Sequence, residues 1–164
     1  MDKHQATLTK RHTMKRRDAK LLVEKAEKTL GKIKAKTIEE GTIQNSEKVY
    51  FLDGKIQLYS VEDSLVPTLI FEDLERFPSI MIDMGAVPYI CNGADVMAPG
   101  IVTIKRDFNH GEIVVIRDVV NEKSLAIGRS LSSSQEILET KKGKVVHNLH
   151  YVGDKLWDFL VKKY

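Results

Sequence analysis

The chain has one cysteine, Cys91, in 164 residues, which excludes an intramolecular disulfide and fits a reducing cytoplasm. Cys91 lies among small and apolar residues and reads as a small buried hydrophobe rather than a nucleophile. Long hydrophobic runs are missing too. No stretch approaches the roughly 20 apolar residues that span a bilayer, so no membrane partner is expected. The basic N-terminus has no apolar core of a secretory signal. There is no CxxC or HExxH pattern, no G-x-S-x-G elbow, no P-loop and no dinucleotide fingerprint. His147 and His150 have the spacing of a ligand pair, but residues three apart on a strand point to opposite faces. No metal, no cofactor and no catalytic residue is expected, and the chain reads as a non-enzyme. No internal repeat or low-complexity linker is present.

What is present is an uneven charge. The net charge is +3, but residues 1–36 carry 12 Lys+Arg against 4 Asp+Glu, and residues 37–164 carry 14 against 19. The basic N-terminal third suggests a face for a polyanion; the same pattern also suits a solvated helix face. Arg11, Lys15, Arg16, Arg17 and Lys20 are the residues that would form this secondary basic surface. The acidic remainder argues against a protein that coats RNA indiscriminately.

The first 77 residues read as one small α+β unit. Thr13 is expected to cap a helix running to about Leu30, with Gly31 just past its end. Met14, Leu21, Leu22, Ala26 and Leu30 form its apolar stripe. Ile33 to Ile38 alternates with lysines and reads as a strand. Asp53-Gly54, between two apolar runs, predicts a tight hairpin because both turn positions favour positive φ. Val66 to Ile70 reads as a further strand and Phe71 to Phe77 as a short helix before Pro78.

From Pro78 to residue 164 strands dominate. They are expected near 79–83, 101–106, 112–118, 124–131 and 144–151, with a helical piece around Gln135 to Glu139 and a terminal helix over Asp154 to Val161. Short strands at this spacing suggest a small barrel, so the fold class is α+β with a border near residue 77. The most informative stretch is Ile82 to Gly100, IDMGAVPYICNGADVMAPG. It reads as a buried strand, a helix opened by Gly85-Ala86 and closed by Gly93-Ala94, and a Pro99-Gly100 turn. Small residues clustered in this way permit close approach, either of a packed sheet or of a nucleic-acid backbone.

That stretch resembles the first strand, helix and second strand of a PUA domain. Gly111 to Ile116, Leu125 to Arg129 with its Gly128-Arg129 pair, and Lys144-Val145-Val146 resemble the later strands of the same fold. The ending His150 to Trp157 is similar to the malignant-T-cell-amplified-sequence family of translation factors and its archaeal-type relatives. The resemblance covers most of the chain, more strongly over 78–157 than over 1–77. It implies a pre-PUA N-terminal domain, a C-terminal PUA pseudo-barrel of mostly antiparallel strands with a helical tail, and RNA binding through the first helix, its following loop and the closing strand.

Mapped onto this chain, those elements are Gly85, Ala86, Tyr89, Asn92, Gly93 and Ala94, then Met97, Pro99 and Gly100, then Lys144, His147 and His150. Tyr89 can stack on a base or join the core. Lys105, Arg106 and Arg129 can hold phosphates or form a solvated strand face, and the two histidines can be RNA contacts or polar strand residues. The resemblance implies tRNA or rRNA as partner, the small ribosomal subunit, and a protein partner on the N-terminal domain, which in the eukaryotic factors is density-regulated protein. Two other readings remain open: a protein–protein adaptor using the apolar tail Leu156 to Val161, and an accessory subunit of an RNA-modifying enzyme.

Overall fold

The computed structural model describes residues 7–43 and 47–163. Two compact units are present, one formed by Met1–Glu72 with Phe159–Tyr164 and the other by Asp73–Asp158. The first contains β1 (Leu8–Thr13), α1 (Arg16–Leu30), β2 (Ile38–Ile43), β3 (Glu47–Leu52), β4 (Lys55–Val61) and β5 (Ser64–Pro67). Its five strands follow chain order, each antiparallel to the next. Helix α1 lies against β5 and buries Leu22, Ala26 and Leu30; Leu21, expected in the same stripe, is exposed.

Several N-terminal expectations are corrected. Thr13 ends strand β1, and the helix starts after Lys15 with no side-chain cap. Ile33 to Lys36 forms no strand, whereas Ile38–Ile43 does. Of Phe71 to Phe77 only Leu74–Arg76 winds, as a single 3-10 turn. β1 is illegible because it is an exposed edge: five of its six residues are exposed, so no apolar alternation marks it. It is held by the ladder to β2 and by Arg11, which grips Glu39 through two hydrogen bonds of 3.1 and 2.9 Å and stacks over Phe51. The hairpin forms as expected: Asp53 and Gly54 have φ of 51° and 85°. The Asp53 carboxylate accepts the Lys36 and Thr37 amides, both at 2.8 Å, tying the turn to the segment ahead of β2.

The second unit contains β6 (Ser79–Ile82), α2 (Val87–Ile90), β7 (Val96–Met97), β8 (Ile101–Lys105), β9 (Ile113–Asp118), β10 (Ser124–Ser130), α3 (Ser134–Thr140), β11 (Lys144–Tyr151) and the start of α4 (Lys155–Lys163). Its sheet order is β7-β11-β10-β9-β6-β8; all pairs are antiparallel except β6 with β9. Ile80, Ile82, Val114, Ile116, Ala126, Val145 and Val146 build the core with Ile90 of α2 and Ile137 of α3. α3 starts at a complete capping box between Ser133 and Glu136. In the β9–β10 turn the Asp118 carboxylate accepts the amides of Val120, Asn121 and Lys123. None of the helices is long and apolar enough to cross a membrane among the described residues.

Candidate nucleic-acid interface

The glycine-rich stretch folds as a turn over residues 84–86, the single helical turn α2, a second turn over 91–93, and the short strand β7. Asp83 anchors its start. The Asp83 N–H donates to the Gly100 carbonyl at 3.1 Å, and its carboxylate accepts the Ala86 N–H at 3.0 Å. Gly93 is required on two counts. Its φ is 96°, and a Cβ there would sit 3.1 Å from the Tyr151 hydroxyl oxygen. This glycine therefore packs the loop onto the closing strand. Its neighbours face out: Gly85, Tyr89, Asn92, Ala94, Met97 and Pro99 are exposed, while Ala86 and Gly100 are half-buried. Tyr89 is 69% exposed, which removes it from the core.

The loop is stitched to β11 by two residues that sequence reasoning did not select. The Asn148 side-chain amide donates to the carbonyls of Ile90 and Ala94, at 3.1 and 3.0 Å. Asp95 accepts the Asn148 N–H at 2.8 Å and His147 Nδ1–H at 3.0 Å, and pairs with Lys144 Nζ at 2.9 Å. Burial of the Asp95 carboxyl opposes its charge, but the Asn148 amide, Lys144 and His147 outweigh that and hold it below the usual carboxylate range. Lys144 also stands opposite Met97, and His147 opposite Arg129. The structure thus brings Tyr89, Asn92, Ala94 and Met97 onto a loop bonded directly to the strand that carries Lys144 and His147. Arg129, half-buried, donates to the Gly111 carbonyl at 3.0 Å, in the turn before β9.

Other candidates have different employment. His150 is fully buried and donates from Nδ1 to Asp154 at 2.8 Å, where the same carboxylate accepts the Tyr151 and Trp157 amides and starts α4. A ring with no exposed surface cannot touch RNA, so His150 leaves the set. Arg106 spends its guanidinium on the carbonyls of Glu75, Arg76 and Phe77, capping the 3-10 turn. Lys105 pairs with Glu122 at 2.7 Å. On the first unit, Arg11 is bound to Glu39, whereas Lys15, Arg16, Arg17 and Lys20 are exposed. Cys91 is half-buried, and burial pushes its thiol up, away from reactivity. Among the described residues no three His, Cys, Asp or Glu side chains gather as metal ligands would.

The PUA domain model matches residues 78–152, and a domain of unknown function, DUF1947, matches residues 10–71. Translation machinery-associated protein 20 of Saccharomyces cerevisiae is 31% identical over 137 residues, covering 79% of this chain and 76% of its own. The chain belongs to this PUA-domain family. A malignant T-cell-amplified sequence 1 homolog of Drosophila melanogaster shares 32% identity over 99 residues, 56% of this chain and 53% of that one. Among solved structures, a hypothetical protein from the hyperthermophilic archaeon Pyrococcus horikoshii superposes with a TM-score of 0.78 at 28% identity, covering 92% of this chain and 99% of that one.

The Gly128-Arg129 pair of the PUA domain has a physical reason in this fold. A Cβ on Gly128 would lie 2.4 Å from Val146 Cγ1 and 2.9 Å from the His147 carbonyl oxygen, at the bulge where β10 crosses β11. The glycine lets the two strands close, and the arginine beside it emerges opposite His147. No local signal in the sequence marks Asp95 and Asn148, because each works through partners about fifty residues away.

Proposed function

We propose that this chain is a non-catalytic, cytoplasmic RNA-binding protein of translation that contacts tRNA or small-subunit rRNA through its PUA domain. The reading rests on membership in the family of translation machinery-associated protein 20. The observation that carries it is the exposed Tyr89 on a loop pinned by Asn148 and Asp95 beside Lys144 and His147. That arrangement offers an aromatic face for a base, a side-chain amide at Asn92 for hydrogen bonds, and a small number of cations for phosphates. The cations are few and partly neutralised by Asp95, which suits a shape-selective grip on an RNA end or junction better than general affinity for duplex. The exposed residues Lys15, Arg16, Arg17 and Lys20 of the first unit serve as a second contact, to rRNA or to a protein partner. The adaptor reading would need the apolar tail for docking, yet Leu156, Phe159 and Leu160 are buried.

The test is RNA binding across a salt series with tRNA, tRNA lacking its 3′ end, and a small-subunit rRNA fragment. Tyr89→Ala should weaken binding to the preferred RNA roughly tenfold, as loss of one base–aromatic stack does. Lys144→Ala should weaken it less and reduce its salt dependence. Equal, weak binding to all three RNAs, unchanged by either substitution, would overturn the reading.

A further inference from the structure

The six-stranded sheet has two ends, and they are unlike. β7 is two residues long. β8 is five residues long, Ile101–Lys105, and pairs with β6 alone. Alternate peptide groups along β8 therefore face away from the sheet, with no strand to meet them among the described residues. Beside β8 lies a groove of about 360 Å3 lined by Ala98, Pro99, Ile101 to Ile104, and by Ile137, Leu138 and Lys141 at the end of α3. Four consecutive strand residues line it. Side chains on one face of a strand recur every second residue, so a run of four means that the groove follows the open edge.

Open edges are usually blunted by charge, proline or a covering segment. Along β8 the first charge comes at Lys105, and it is held by Glu122. Two apolar side chains of the groove are exposed instead: Val102 is 55% accessible and Leu138 59%. The opposite wall is firm, because the capping box at Ser133 and Glu136 fixes the start of α3, and Ile137 anchors it in the core. Among the lining residues the charge is Lys141, set at the end of α3 with a left-handed backbone.

We propose that the open edge of β8 and this groove bind an extended segment of a partner protein, which adds as a seventh strand to the sheet. Its backbone completes the hydrogen bonds of β8, alternate apolar side chains pack on Val102 and Leu138, and a carboxylate beside them meets Lys141. A polynucleotide fits less well. It has no peptide groups to complete a strand, and one lysine is sparse provision for phosphates, with Glu136 and Glu139 exposed on the same helix. The groove shares Pro99 with the expected RNA contacts and β8 adds Lys105, which Glu122 holds; Tyr89, Asn92, Lys144 and His147 lie outside both, so the two readings stand or fall separately.

The test uses the full chain as bait for a displayed library of random nonapeptides, followed by fluorescence anisotropy with the enriched peptides. Enriched sequences should alternate apolar residues and carry Asp or Glu. Leu138→Asp, on an exposed position, should weaken them about tenfold or more. Lys141→Glu should do so for acidic peptides and not for their Asn/Gln counterparts. Saturating peptide should slow amide hydrogen exchange at 101–105, while tRNA affinity stays unchanged in both variants. Four results would overturn the proposal: no enrichment, peptides that bind Leu138→Asp as well as wild type, loss of RNA affinity in Leu138→Asp, or a dimer in sedimentation velocity that this substitution dissolves. The third would make the groove part of the RNA surface, and the fourth would assign it to a second copy of this chain.

Discussion

Arg106 and Lys144 are both basic residues at a strand end, and their surroundings give them different work. Arg106 satisfies three backbone carbonyls at a helical turn, while Lys144 extends beside an exposed loop with 55% of its side chain accessible. Arg106→Ala should therefore cost about 1.5–3 kcal/mol in urea denaturation, the range for hydrogen bonds to a charged group. RNA affinity should stay within about twofold, a change too small to matter against the tenfold steps of binding. Asp95 supplies a pH-dependent counterpart. Its carboxyl is held below its ordinary value in the folded chain, so its contribution is complete above about pH 4 and drains away as the pH falls through the folded value. Asp95→Asn should be less stable than wild type by about 1–2 kcal/mol at neutral pH. Denaturation curves recorded at pH 7, 4 and 3 should show that difference narrowing as acid protonates the wild-type carboxyl.

At the scale of elements, the strands of the second unit other than the two-residue β7 were legible, the buried ones through runs such as Ile113 to Ile116. β1 and β2 were not, because β1 is an exposed edge carrying Lys10, Arg11 and His12, and β2, paired between β1 and β3, carries Glu39 and Glu40 where an apolar run would have marked it. The Asp53-Gly54 hairpin was legible from two residues, since positive φ is a local demand. Gly128 was legible only as part of a family pattern; the reason for it lies in β11. Gly128→Ala gains a little from the stiffer unfolded chain, about 0.4–1 kcal/mol. Against this, the new Cβ collides with Val146 and the His147 backbone, and overpacking of this kind costs about 1–3 kcal/mol. The net effect should be destabilising, seen as a lower midpoint in thermal or urea unfolding.

For the whole molecule, the charge asymmetry predicts a second, sequence-blind contribution to RNA binding from the first unit. Replacing Lys15, Arg16 and Arg17 together by Gln should flatten the salt dependence for a long rRNA fragment by up to about two in log–log slope, at roughly 0.7 per phosphate contact. It should leave the Tyr89→Ala effect unchanged, since residues on separate units with no shared partners act additively. The amino-acid sequence by itself determined the elements with a strong local or periodic signal: the tight hairpin, the helical piece at α3, the longer apolar strands of the second unit and the small residues of the 82–100 stretch. It also determined where positive charge is concentrated. Only the tertiary structure decided which of those charges meet solvent. A lysine or arginine at a strand end has the same local pattern whether it faces water, a carbonyl thirty residues away or a carboxylate fifty away. Arg106 found the 75–77 carbonyls and His147 found Asp95 through contacts that exist only once distant segments have been folded together.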